Sequence, residues 1–127
     1  MATFSTGQVL TAAQMNSIAN LTVRTVTSAS DTFVLADADN KIITYSNTGT
    51  TTVTIPPFSS VAMTTGTVIN LIKIGSTGTI TITQGAGVTI ASSGAISTSP
   101  SIIKTFGAAS CIKVNTDSWY VVGRLVE

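Results

Sequence analysis

The chain has no histidine and a single cysteine among its 127 residues. Without histidine it lacks the side chain that titrates near neutrality and serves most often as base, proton shuttle and metal ligand. No Ser-His-Asp or Cys-His nucleophile can be assembled. Cys111 alone permits no intrachain disulfide. It falls in a strand-like run and reads as a buried, inert thiol. Charge is scarce too: six basic and five acidic residues, 9% of the chain, give a net charge of +1. An ordinary domain carries about 25% charged residues. So small and balanced a charge leaves no electrostatic footprint for nucleic acid or anionic lipid.

Residues 42–72 and 74–103 carry no charge at all. Neither stretch is a membrane helix, because Thr, Ser, Asn and Gly interrupt the apolar residues every one or two positions, whereas a span needs roughly 20 mostly apolar residues. A free surface of this extent normally carries more charge. Either the surface is neutral Ser and Thr, or part of it is covered by copies of the chain or by partners; the covered surface is taken forward. Residues 1–7 lack a basic start and no apolar core follows them, so no signal-peptide pattern is present and synthesis in a cytoplasm is expected.

What is there divides in two. Residues 1–21 read as an arm and residues 22–127 as one β domain, a length that supports a single core. In the arm, Thr11 is placed to cap a helix and Gln14 to complete a T-x-x-Q capping box, with Leu10 and Met15 as a hydrophobic staple. Met15, Ile18 and Ala19 form a narrow apolar stripe, and Asn20 is a plausible stop. A helix of about nine residues is marginal alone in water. Something must hold it: its own domain, a sister copy, or a larger surface. Leu10, Met15 and Ile18 are therefore the candidate docking residues.

After residue 21 the periodicity becomes two. Thr79-Ile80-Thr81-Ile82-Thr83 alternates cleanly, and turn clusters recur near the 8–12-residue spacing of a sandwich or barrel. Strands are expected near 22–28, 32–36, 41–46, 51–55, 67–74, 79–83, 87–92, 102–106, 110–114 and 118–125, with Pro56-Pro57 ending one of them. The expected fold is mainly β: an antiparallel β-sandwich or jelly roll of about 8–10 short strands, plus the short N-terminal helix. The clusters at Gly75–Gly78 and Gly85–Gly87 read as hairpin turns, lacking the Lys-Ser/Thr of a phosphate loop.

Two strands read as apolar on both faces, Val68-Ile69-Asn70-Leu71-Ile72-Lys73-Ile74 and the last one. A second apolar face must meet the helix or another copy, which predicts a homo-oligomer. Trp119 and Tyr120 are neighbours, so one is expected in the core and the other outward; Tyr120 is the candidate for an interface or for stacking on a sugar. Asp37 and Asp39 form D-x-D-N, which turn chemistry explains. The Ca²⁺ alternative lacks a third acidic residue at EF-hand spacing. On the turn reading, Asp37→Ala and Asp39→Ala each cost about 1 kcal/mol at most. No catalytic residue, metal site or cofactor is expected.

Particular motifs carry a resemblance. FSTGQVLTAAQMNSIAN, with G-x-V-L-T-A-A-x-x-N at Gly7 to Asn16, resembles the N-terminal segment of many tailed-phage structural proteins. ADADNKIITYSN, TTVTIPPFSSVAMTTGTVINLIKIG, GTITITQGAGVTIASS and ASCIKVNTDSWYVVGRL, in that order, resemble a β module of phage fibre and virion proteins. The resemblance covers most of the chain. It implies a non-enzymatic virion component, often a homotrimer, whose partners are itself and the major capsid protein or another virion protein. The chain has no shaft, collagen-like run or coiled coil, so a small capsid decoration or cement protein fits better than a long tail fibre. The other reading is a receptor- or glycan-binding tip on the tail or head.

Overall fold

The computed structural model describes residues 22–39, 41–92 and 99–126. The protein is mainly β. Among the described residues ten strands run in order: β1 (Thr22–Val26), β2 (Ser30–Thr32), β3 (Lys41–Tyr45), β4 (Thr51–Ile55), β5 (Val68–Lys73), β6 (Ile80–Gln84), β7 (Thr89–Ser92), β8 (Ser101–Ile102), β9 (Ala108–Asn115) and β10 (Ser118–Gly123). A single 3-10 turn, Leu35–Ala38, lies between β2 and β3 among the described residues. It stands where the sequence pattern extends the second strand to residue 36. The expected N-terminal helix lies outside the described residues.

Six strands form one sheet in the order β1-β3-β5-β9-β10-β7, and four form another in the order β2-β4-β6-β8. The first eight strands alternate between the two sheets. Neighbours within a sheet are therefore mostly second neighbours in sequence, and most of these run the same way. The pairs β1/β3, β3/β5, β2/β4, β4/β6 and β7/β10 are parallel; β5/β9, β9/β10 and β6/β8 are antiparallel. This corrects the antiparallel expectation. Period-two patterning says which face a residue takes and nothing about strand direction. The clusters read as hairpin turns at Gly75–Gly78 and Gly85–Gly87 instead carry the chain across from one sheet to the other. Asn115-Thr116-Asp117, between β9 and β10, does make a hairpin.

Successive crossovers stack on one another at close range. Thr77 Oγ1 donates to the Thr48 carbonyl at 3.0 Å, and the N–H groups of Ile74 and Gly75 both donate to the Tyr45 carbonyl. At Gly78, φ is +79°, and a Cβ there would collide with the Gly49 carbonyl. Glycine is required at that point for conformation and for space.

The inward side chains of both sheets form one buried cluster. It includes Ile43 and Tyr45 of β3, Val53 and Ile55 of β4, Ile69 and Leu71 of β5, Ile80 and Ile82 of β6, Cys111 of β9, and Trp119 and Val121 of β10. Phe33 packs on Trp119 with ring centroids 6.3 Å apart. Lys73 and Lys113 also lie inward and are nearly fully buried. Lys73 Nζ donates to the Gly75 carbonyl. Lys113 Nζ donates to the Thr116 carbonyl and stands 5.3 Å and 5.7 Å from the Phe58 and Trp119 ring centroids. Each lysine threads its methylene stem through the core and ends on a carbonyl at the sheet end.

Candidate functional site

One cluster of charged side chains faces inward. From β1, Arg24 reaches two carboxylates at once. Its Nη1 and Nη2 donate to Asp31 of β2, both at 2.9 Å. Its Nε and Nη2 donate to Asp37 of the 3-10 turn at 3.0 Å and 2.9 Å. Asp37 also accepts from the Val34 backbone N–H at 2.9 Å, and the Tyr45 hydroxyl of β3 donates to Asp31 at 2.8 Å. The Asp37 side chain is fully buried, while Arg24 keeps about a quarter of its own exposed. Burial alone would lower the Arg24 pKa, but the hydrogen bonds and charges of Asp31 and Asp37 outweigh it and hold the guanidinium more firmly protonated. Burial first, and then the neighbouring Asp31 charge, push the Tyr45 hydroxyl well above its ordinary range.

The arrangement pins four consecutive elements together. It also revises the reading of Asp37. The carboxylate does serve its turn through Val34, yet its main partner is Arg24, thirteen residues away. No local motif marks that pairing. Asp39 is exposed at the end of the turn, where its N–H donates to the Ala36 carbonyl. Among the described residues, no group of three or more His, Cys, Asp or Glu side chains could hold a metal ion. No helix among them is long and apolar enough to cross a membrane. Burial pushes the Cys111 thiol up to about 12.

The chemistry that faces outward differs between the two sheets. On the four-stranded sheet, register aligns Ser30, Thr52, Thr81 and Ser101 in one row and Thr32, Thr54 and Thr83 in the next. Neighbouring hydroxyls meet at 3.3 Å for Thr54–Thr83 and 3.2 Å for Thr81–Ser101. This face is a hydroxyl lattice.

The six-stranded sheet presents a different surface. Its central outward row is Val23, Ile42, Asn70, Ser110 and Val122. A flanking row is Val68, Ile112, Tyr120 and Ala91, and the other is Thr25, Thr44, Ile72 and Ala108. No member of the three rows is charged, but the exposed Arg124 follows Val122 in the outward series, and its N–H donates to the carbonyl of Ala108 at the end of the third row. Val23 is 63% exposed, Tyr120 51%, Val68 43% and Val122 40%. A shallow groove crosses the middle of this face, lined by Ile42, Asn70, Ile72, Ala108, Ser110 and Val122. A second depression beside Tyr120 is lined by Thr89, Asn115 and Ser118.

Of the residues that the sequence pattern singles out, Tyr120 therefore lies on the open apolar face, while Trp119 is in the core. Leu10, Met15 and Ile18 lie outside the described residues. Val23, Ile42, Val68, Ile112 and Val122 belong to the same face, although only β5 and the last strand are apolar on both sides by pattern. The chain matches no known family model and no curated protein.

Proposed function

We propose that this chain is a non-enzymatic structural protein of a tailed-phage virion, a small capsid decoration or cement protein that self-associates and docks on the shell. The observation that supports it most is the uncharged apolar outer face of the six-stranded sheet. A surface of that kind belongs to a protein whose work is to be covered. The order of the phage-like motifs along the chain supplies the virion context. In this reading the two sheets around one core are a β-sandwich; the jelly-roll alternative needs antiparallel neighbours, and most pairings here are parallel. The assembly is a homo-oligomer built on that face, and the arm residues Leu10, Met15 and Ile18 attach it to the major capsid protein.

A glycan- or receptor-binding tip is the second reading. It draws on Tyr120, a half-exposed ring beside the hydroxyls of Thr89 and Ser118 and the amide of Asn115. Cryo-electron microscopy of particles carrying the protein separates the two. Density at a fixed lattice position on the capsid is expected. Density confined to the tail tip, or failure of the purified protein to bind particles that lack it, would overturn the decoration reading.

A further inference from the structure

We infer that the outer face of the six-stranded sheet is a self-association surface, occupied by the same face of another copy of this chain. The inference deepens the virion reading, of which it uses only self-association; it stands whether or not the assembly sits on a virion.

Three observations lead to it. The first is exposure. A contiguous apolar patch of a few hundred Å² is rarely left open on a free surface. Here one face meets the core, while the other leaves Val23, Val68 and Val122 open. The second is charge. A charged partner would have to desolvate its charges against rows that hold no charged residue, with Arg124 alone at their margin among the described residues. The chain's own face is neutral and apolar, so it is a suitable counterpart to itself.

The third is area. Six strands span five spacings of about 4.8 Å, and five or six residues at about 3.3 Å set the other dimension. The footprint is about 24 by 18 Å, on the order of 430 Å² per copy before corrugation is counted. Two such faces together come to about 860 Å² before corrugation, just under the roughly 1,000 Å² of a specific interface, which places the pairing at the small end of that class. The hydroxyl face of the other sheet lacks the apolar content for this and is the side left to water.

The face also holds a device for setting register. Asn70 and Ser110 lie at its centre, on neighbouring strands, and Ser110 Oγ donates to Asn70 Oδ1 at 2.7 Å. The Asn70 amide N–H groups supply a polar contact between copies in the central row, whose members other than Asn70 and Ser110 are apolar. A single central asparagine of this kind fixes alignment where apolar packing alone would slide.

The test is light scattering on full-length protein at micromolar concentration. Wild type is expected at a multiple of the 13.0 kDa chain mass. Val68→Lys with Val122→Lys is expected to run as a monomer with unchanged strand circular dichroism and a cooperative melt. Val122→Lys alone carries the same readout should the double variant unfold. Thr81→Lys, on the hydroxyl face, is expected to keep the wild-type mass. So is Met15→Asp with Ile18→Asp in the arm. A monomeric wild type overturns the inference. So does a Val68/Val122 variant that keeps the wild-type mass, or dissociation caused by the Thr81 or the arm variant in its place. A stable oligomer that fails to bind particles counts against the virion reading alone.

Discussion

Replacing Asp37 with alanine tests how the first part of the domain is held. The carboxylate is fully buried and accepts three hydrogen bonds, two from Arg24 and one from the Val34 N–H. Removing one partner of a buried ion pair typically costs about 3–5 kcal/mol, because the other charge stays behind without compensation. Arg24 retains Asp31, and its side chain is 26% exposed. Both features place the cost at the lower end, about 3 kcal/mol. For a domain of this length, 1 kcal/mol corresponds to about 3–5 °C, so the melting temperature should fall by about 10–15 °C. Asp39→Ala, two residues on and exposed, should shift it by a third of that or less. The assay is thermal unfolding by circular dichroism at matched protein concentration, since any self-association makes the midpoint concentration-dependent. Equal, small shifts for the two variants would refute the reasoning and reduce Asp37 to an ordinary turn residue.

Gly78→Ala should destabilise by at least about 2 kcal/mol, because it combines a positive φ with a backbone contact that cannot yield; a melt within about 2–3 °C of wild type would mean the stacked crossovers can move apart. Cys111 should resist alkylation in the native protein at about pH 8 and react fully once unfolded, and rapid native labelling would show the strand interior opening readily. The pH dependence has a definite sign. The folded Cys111 thiol is raised to about 12 from 9.0, and Tyr45 is raised as well, so the folded state binds more protons in alkali. Stability should be fully present below about pH 9 and decline steadily as pH rises toward about 12, whereas a flat profile there would contradict the burial of both groups. Association between copies should change little from low to high NaCl, since the three rows of the proposed face carry no charged residue and Arg124 lies at their margin; dissociation by salt would point to ion pairs instead.

Although the expected strands at 32–36 and 102–106 overlap the observed β2 and β8 by a single residue each, the β character and the approximate place of most strands were legible because alternation is a local property. Thr79 to Thr83 shows it plainly, and Pro56 ends β4 where a missing N–H predicts. Direction was not legible. A turn rich in Gly and Asn looks alike whether it joins two strands of one sheet or passes between sheets, and the difference lies in contacts such as Thr77 to Thr48 that span 29 residues. The ion-pair cluster was hidden for the same reason. Arg24 sits among threonines and valines in β1, where a lone basic residue reads as solvent-facing, and its two carboxylates come from different elements. Lys73 and Lys113 broke the pattern more directly: each occupies an inward position that alternation assigns to an apolar residue. The signal that could have found them is phase. Both continue the buried series of their strands, Ile69-Leu71-Lys73 and Ala109-Cys111-Lys113.

These inward charges explain the composition that the chain presents at the outset. Arg24, Asp31, Asp37, Lys73 and Lys113 all serve the interior or its margin, which is five of the eleven charged residues in the sequence. The surface is thus poorer in charge than the 9% figure suggests, and the strand faces lose most. The four-stranded sheet compensates with hydroxyls, which keep it wettable without charge. The six-stranded sheet does not: in its central row only Asn70 and Ser110 are polar, and Ser110 donates to Asn70. A chain under selection to remain free in solution would be expected to place lysine or glutamate at Val23, Val68 or Val122, since these positions are open and no core packing constrains them. Keeping them apolar favours coverage over solubility. The two unlike faces of one domain are accordingly best understood together, one toward water and one toward another copy.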